Sequence, residues 1–170
     1  VLDEKSIYYA LGNHEQRLER KGFIDKCPVD LQHNFDLRSA LKSDLIKLRI
    51  INYNDWFSIK VNKQPNLQIT HGYYCGMNPI KKHFLDAHCS VMFGHTHETG
   101  IQSFKNVGET IIGYNNPCLC ETSPEYLEAR PQNWSVGFSI INVTEDNYWV
   151  QIFNIQDNKL VLPTGEIITP

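Results

Sequence analysis

Three short motifs, each with a glycine beside a histidine or an asparagine, constrain the fold of this chain more than any other feature. They are Gly12-Asn13-His14-Glu15, His71-Gly72 and Gly94-His95-Thr96-His97. Each follows a short run with strand character, namely Ile7–Leu11, Leu67–Thr70 and Ser90–Phe93. Runs of this length that end at turn residues are typical of buried strands. The sequence therefore predicts strands whose ends deliver polar side chains to the edge of a sheet.

Helices and strands alternate up to the third motif, and strands dominate after it. Helices are expected over 14–21, from Asp36 onwards, and from Asn78, with Pro79 at the first position, to about His88. A loop is expected at Gly22 and Pro28. The second helix carries one apolar stripe, made of Leu37, Leu41, Leu45 and Leu48. The further strands are expected at Trp56–Val61, Ile101–Phe104, Thr110–Ile112, Gly137–Val143, Tyr148–Ile155 and Lys159–Leu162. This mixture favours an α/β sandwich of two mixed β-sheets flanked by helices over a doubly wound parallel sheet.

Length and composition narrow the class of protein. A chain of 170 residues suits one domain, so residues 1–170 are expected to form a single domain. A net charge of −3, without any Lys/Arg cluster longer than two, argues against binding to long duplex DNA. No apolar run approaches the ~18 residues that a membrane span needs. The five cysteines are scattered, and Cys118 and Cys120 stand too close for a C-x2-C zinc motif, so thiols in a reducing cytoplasm are expected.

The two histidines of the third motif have a spacing that suits a pair of metal ions. On extended chain, His95 and His97 point the same way with Cα atoms about 6.6 Å apart. Ions in two-metal hydrolases lie about 3.5–4 Å apart, so one histidine can reach each ion. Gly94 is expected to allow the sharp backbone path that exposes them. The alternative is a pair of surface histidines on a loop.

The first and second motifs add ligands of the same kind. Asn13 offers a neutral carbonyl oxygen for a divalent cation, and the adjacent His14 points elsewhere, where it can transfer a proton or contact a phosphate. A helix N-cap with a solvent-exposed histidine is the alternative for this pair. His71 is a weak signal by itself. The prediction that His71 binds a metal ion gains support because three strand ends each present a metal-capable residue beside a glycine.

The ordered set of motifs resembles the calcineurin-like metallophosphoesterases, over Ile7 to about Ile155. The resemblance implies α/β sandwich hydrolases of phosphate mono- or diesters with two divalent metal ions and a bridging hydroxide. It implies that Asn13, His71 and His95 bind one ion, that His97 binds the other, and that the catalytic His14 stabilises the transition state. The run Glu15, Arg17, Leu18, Glu19 and Arg20 looks closest to members encoded by phages, which would place the protein in the host cytoplasm.

The chain departs from the family at its beginning. The family also uses an Asp-x-His and a Gly-Asp-x-x-Asp motif upstream of Gly12, and neither occurs here. Because the chain opens on Val1 and enters a strand almost at once, it is expected to be the C-terminal part of a longer protein. The second metal site is therefore incomplete, and this chain alone is expected to be inactive or impaired. The alternative is a non-catalytic binding or scaffold module of the same fold.

Further expectations concern substrate and metal. Nitrogen and oxygen ligands suit Mn, Fe, Zn or Ni. The ligand is expected to be a phosphorylated small molecule, a nucleotide or a nucleic-acid end. Arg17 lies on the same helix face as His14 and is a candidate for substrate binding, as is Tyr74, with a solvated face and core packing as the alternatives. The histidines that lack a motif are expected at the surface, namely His33, His83 and His88.

Overall fold

The structure is a computed structural model that describes residues 6–19, 21–32, 47–122, 124–125 and 132–169. The chain divides into two compact units. The first comprises Val1–Phe57 and Thr70–Tyr73, and the second comprises Ser58–Ile69 and Tyr74–Pro170. That the whole chain forms a single domain stays a prediction. Among the described residues, no helix is both long and apolar enough to cross a membrane.

The first unit is built on a pair of parallel strands. Strands β1 (Ser6–Ala10) and β2 (Lys47–Ile51) pair in register from Ser6 with Lys47 to Ala10 with Ile51. The ladder continues past β1, because the Leu11 amide donates to the Ile51 carbonyl at 2.9 Å, and the Leu11 side chain is buried. Three short helices follow β1 along the chain, namely α1 (Asn13–Glu19), α2 (Lys21–Ile24) and α3 (Val29–Gln32).

The second unit contains a mixed sheet whose strands lie in the order β3-β4-β5-β7-β6. Strand β5 lies at the centre, with parallel neighbours on both sides, and all four of its residues are buried. An apolar strand of this kind is typical of the middle of a parallel sheet. The strands are β3 (Phe57–Ile59), β4 (Leu67–Ile69), β5 (Ser90–Phe93), β6 (Gly100–Asn106) and β7 (Glu109–Asn115).

One helix, α4 (Pro79–Ala87), covers this sheet. Its Ile80 side chain approaches the backbone of Gly113 so closely that a Cβ added there would lie 2.3 Å from Ile80 Cγ2. The ring of Phe84 stacks on Phe104 at 4.3 Å between centroids. The helix begins after Asn78, which adopts a left-handed φ of 58° and makes no side-chain cap. Pro79, whose fixed φ suits the first position of a helix, therefore favours this start without a side-chain cap.

A second sheet of the same unit is antiparallel, with the order β11-β10-β9-β8. All of β8 pairs with β9, and the rings of Phe138 and Phe153 stack at 5.4 Å. The Ser139 hydroxyl donates to the Asn116 side chain, which joins this sheet to the end of β7. The strands are β8 (Gly137–Val143), β9 (Tyr148–Gln156), β10 (Lys159–Val161) and β11 (Ile167–Ile168).

The predicted α/β class with mixed β structure is confirmed, and the described residues form three sheets. Two local predictions are wrong. Leu48, assigned to a helical stripe, lies in β2, because its backbone pairs with β1 from a distant part of the sequence. Gly22, assigned to a loop, lies inside α2. The predicted helix from Asp36 falls mostly outside the described residues.

We expect Gly137→Ala to destabilise the second unit. A Cβ at this position would lie 2.0 Å from the Phe153 carbonyl oxygen and 3.0 Å from Pro117 Cγ, so β8 and β9 would have to separate. Overpacking of this kind costs about 1–3 kcal/mol. Denaturant unfolding should show a lower midpoint. The control is Gly22→Ala, where a Cβ meets nothing within 4 Å and helix propensity improves. Equal midpoints for the two variants would contradict the crowding at Gly137.

Candidate metal-binding sites

The first motif forms the amino-terminal turn of α1. Gly12 is the N-cap, because its carbonyl accepts the first helical hydrogen bond from Gln16 N at 2.9 Å. The Glu15 carboxylate reaches back and accepts from the Gly12 amide at 2.9 Å, which is one half of a capping box. The Tyr9 hydroxyl donates to the other oxygen of the same carboxylate at 3.3 Å. Glu15 therefore fixes the turn and leaves the Asn13 side chain available for other contacts.

Asn13 and His71 lie together in the first unit, although 58 positions separate them. Asn13 Oδ1 and His71 Nε2 are 3.3 Å apart. The imidazole lies over the α-carbon of Gly12, where an added Cβ would be 2.9 Å from His71 Cε1 and 2.6 Å from Glu15 Oε2. The Tyr53 ring contacts the imidazole at 5.7 Å between centroids. A side chain at position 12 would therefore force the Glu15 carboxylate or the His71 imidazole to shift.

The Asn13–His71 pair fits one divalent cation. With bonds of roughly 2.1 Å, two ligand atoms on one tetrahedral or octahedral ion lie about 3.0–3.4 Å apart. The two atoms lie within hydrogen-bond distance of each other, and their separation of 3.3 Å also falls in the interval for two ligands of one ion. An amide oxygen with an imidazole nitrogen is a donor set for Mn, Fe, Zn or Ni.

His14 and Arg17 both lie on the exposed surface of α1. Their spacing of three residues places them on one face of the helix. His14 is next to Asn13 in the chain. The roles of His14 in catalysis and of Arg17 in substrate binding stay predictions.

The third motif is a turn, so the prediction of an extended chain from His95 to His97 is wrong. The His97 amide donates to the Gly94 carbonyl at 3.1 Å, and His97 adopts a left-handed φ of 61°. Gly94 has an ordinary φ, and a Cβ there would meet nothing closer than the Asn116 oxygen at 3.8 Å. The sharp backbone path therefore lies at His97. A left-handed residue other than glycine costs roughly 1–2 kcal/mol and marks a position held by its surroundings.

The His97 imidazole lies beside two cysteines of the second unit. His97 Nδ1 is 3.7 Å from Cys120 Sγ, which is 3.2 Å from Cys118 Sγ, and the Trp134 ring meets the imidazole edge-on at 4.4 Å. Cys120 is an exposed residue. Partial burial of its thiol raises the pKa of Cys120 to about 11, and the hydrogen bond with Cys118 raises it further. Sequence reasoning set these two cysteines aside because it required a C-x2-C spacing. Their C-x-C pair was the available signal.

His83 is buried, so the prediction of a surface position is wrong for this residue. Its ring stacks on Phe93 at 3.8 Å between centroids, and Nδ1 lies 2.9 Å from the Pro79 carbonyl oxygen. Burial is the main reason why the pKa of His83 lies below its ordinary value, and the charge of His95 lowers it further. His88 is exposed, as predicted, and His33 lies outside the described residues.

Tyr74 contacts the same helix. Its hydroxyl donates to Asp86 at 3.0 Å, and its ring meets His83 edge-on at 5.1 Å. These contacts support packing against α4. Substrate binding by Tyr74 stays a prediction, as does the assignment of His95 to a metal ion.

The sequence matches no protein-family model and no curated protein. Among solved structures, a single mutant of Vps29 from Entamoeba histolytica is similar with a TM-score of 0.43 and 11% identity, over 81% of this chain and 84% of that chain. Vps29 from Chaetomium thermophilum has a TM-score of 0.42 and 9% identity, over 81% and 71%. Wild-type Vps29 from Entamoeba histolytica complexed with Zn²⁺ has a TM-score of 0.43 and 13% identity, over 79% and 73%.

We expect the stability of the protein to fall as the pH drops below about 6.5, the ordinary pKa of histidine. Folding lowers the pKa of His83, so the unfolded chain binds a proton first, and the stability present above that pH is lost on acidification. The measurement is the denaturant midpoint between about pH 7.5 and 5 for the wild type and for His83→Gln. The variant should show a shallower decline, whereas the exposed His88→Asn control should keep the wild-type slope. Equal slopes for the wild type and His83→Gln would remove His83 from the pH dependence.

Proposed function

We propose that this chain is a metal-binding module of the metallophosphoesterase type, which holds a divalent cation through Asn13 and His71 and binds a phosphate-bearing ligand without efficient hydrolysis. The observation that carries the proposal is the separation of 3.3 Å between Asn13 Oδ1 and His71 Nε2. It brings together two residues that the motif resemblance assigns to one ion. A bound divalent ion would supply positive charge for the oxygens of a phosphoryl group.

Support for binding without turnover comes from the metal ligands that the described residues bring together. Two-metal hydrolysis needs two ions held about 3.5–4 Å apart. Among the described residues, the group of three His, Cys, Asp or Glu ligands that could hold an ion contains no carboxylate.

The ligand we propose is a small phosphate ester, such as a phosphorylated small molecule, a nucleotide or a nucleic-acid end. His14 and Arg17 are exposed on the helix that also carries Asn13, so their side chains could contact the phosphate oxygens. The net charge of −3 and the lack of a basic stripe favour a small ligand over a long duplex.

Phosphoester hydrolysis is the second candidate, and one observation favours it. His14 is exposed and adjacent to Asn13 in the chain, so its imidazole could donate a proton to the leaving group of an ester bound at the ion. A binding module has less need of an imidazole there. Hydrolysis would require additional ligands for a second ion.

Metal binding and turnover can be measured on the same protein. With added Mn²⁺, we expect about one weakly held ion per chain and negligible hydrolysis of bis-p-nitrophenyl phosphate, because one ion does not assemble the two-metal centre. Asn13→Ala and His71→Ala should each weaken Mn²⁺ binding by more than about ten-fold in calorimetry. His88→Asn is the matched control, because asparagine tolerates the left-handed conformation of this exposed residue.

Two outcomes would contradict the proposal. Unchanged Mn²⁺ affinity in both Asn13→Ala and His71→Ala would mean that this pair does not bind the ion. Robust turnover by the wild type that disappears in His14→Ala would establish the hydrolase instead of the binding module.

A further inference from the structure

We infer that His97, Cys118 and Cys120 form a thiolate-rich zinc site, with a donor set separate from Asn13 and His71. The motif resemblance gives His97 to a nitrogen- and oxygen-ligated ion. The structure places two sulfur atoms beside it instead, and the three possible ligand atoms all lie within 4.8 Å of one another. This is the one such group found among the His, Cys, Asp and Glu residues that the structure describes.

The distances suit a tetrahedral zinc ion. Bonds of about 2.3 Å to sulfur and about 2.0–2.1 Å to nitrogen put two sulfurs about 3.8 Å apart and a sulfur and a nitrogen about 3.6 Å apart. Cys120 Sγ and His97 Nδ1 are 3.7 Å apart, which already matches. The two sulfurs, at 3.2 Å, would have to separate by roughly half an ångström, and the exposed Cys120 side chain can provide this by a small rotation.

Backbone hydrogen bonds hold the ligand-bearing segments together. Ser135 N donates to the His97 carbonyl at 2.9 Å, and Cys118 N donates to the Ser135 carbonyl at 3.0 Å. Gly137 N then donates to the Cys118 carbonyl at 2.8 Å. One short stretch before β8 therefore fixes both the His97 turn and the Cys118 backbone. The ring of Trp134, from the same stretch, covers one side of the imidazole. Ligands held in advance lose little conformational freedom when an ion binds.

The donor chemistry selects the ion. Two thiolates and an imidazole favour zinc over manganese or magnesium, which prefer oxygen. Three protein ligands leave the fourth position of a tetrahedral ion open to water or an external ligand. Since Cys120 is exposed and Cys118 is half-buried, that position would be reachable from solvent.

Cobalt titration of the reduced full chain tests the zinc site. Co²⁺ bound by thiolates gives a near-ultraviolet charge-transfer band, which nitrogen and oxygen ligands do not produce, so the signal is independent of Asn13 and His71. We expect this band to saturate near one equivalent and to disappear on addition of Zn²⁺. It should be lost in Cys118→Ser and Cys120→Ser, and each should weaken Zn²⁺ binding by more than about ten-fold. His97→Ala should retain a weakened thiolate band with an altered visible spectrum.

Matched controls separate this inference from the proposed function. Cys75→Ser removes an exposed thiol that lies outside the cluster and should keep the band. Asn13→Ala and His71→Ala should also keep it, even if they abolish Mn²⁺ binding. Conversely, Cys120→Ser should leave the Mn²⁺ affinity of the Asn13–His71 pair unchanged.

X-ray absorption of the zinc-loaded wild type provides a measurement that does not depend on the folding of a variant. A coordination shell with two sulfurs supports the site, and a shell of nitrogen and oxygen alone overturns it. Absence of the thiolate band in the wild type, or its persistence in the Cys118→Ser/Cys120→Ser double variant, would also overturn it.

Discussion

The crowding of Gly12 is the constraint on which the arrangement of the first unit depends. A carboxylate and an imidazole approach the same α-carbon, and a Cβ at this position would lie under 3 Å from atoms of both. Because residue 12 has no side chain, Glu15 can close the first turn of α1 onto the Gly12 amide while His71 reaches Asn13. A single methyl group would force one of these contacts to open. The lack of a side chain at Gly12 therefore permits both the Glu15 cap and the contact of the distant His71 with Asn13.

In the second unit, a histidine rather than a glycine takes the unusual backbone conformation beside the donor atoms. His97 takes the left-handed conformation that is usually left to glycine, and this turns its imidazole away from an extended path. The turn is held by Ser135, whose backbone also pairs with Cys118. The two donor sets differ in chemistry as a result. Asn13 and His71 offer oxygen and nitrogen, whereas the cluster around His97 is dominated by sulfur, so the two would prefer different ions.

The elements that could be predicted from the sequence are those with local signals. β5 was predictable because a short apolar run ends at glycine, and α4 because Pro79 starts it. β2 was not, because its pairing partner lies some forty residues earlier and Leu48 also fitted a helical stripe. The burial of His83 was missed for a related reason. It depends on stacking against Phe93 of a neighbouring strand, which no spacing within α4 reveals.

The sequence by itself determined which donors are available and where the chain can turn. Gly12, Asn13, His71 and His97 are recognisable there because strand, glycine and polar residue follow one another along the chain. Only the tertiary structure decided which donors meet. Asn13 meets His71 through a side-chain contact across 58 positions. Backbone hydrogen bonds of Ser135 to His97 and Cys118 bring the members of the His97 cluster together. The residue types and the turn signals can be read along the sequence. The proximity of two donor residues depends on non-local hydrogen bonds and packing, which a pattern along one chain does not contain.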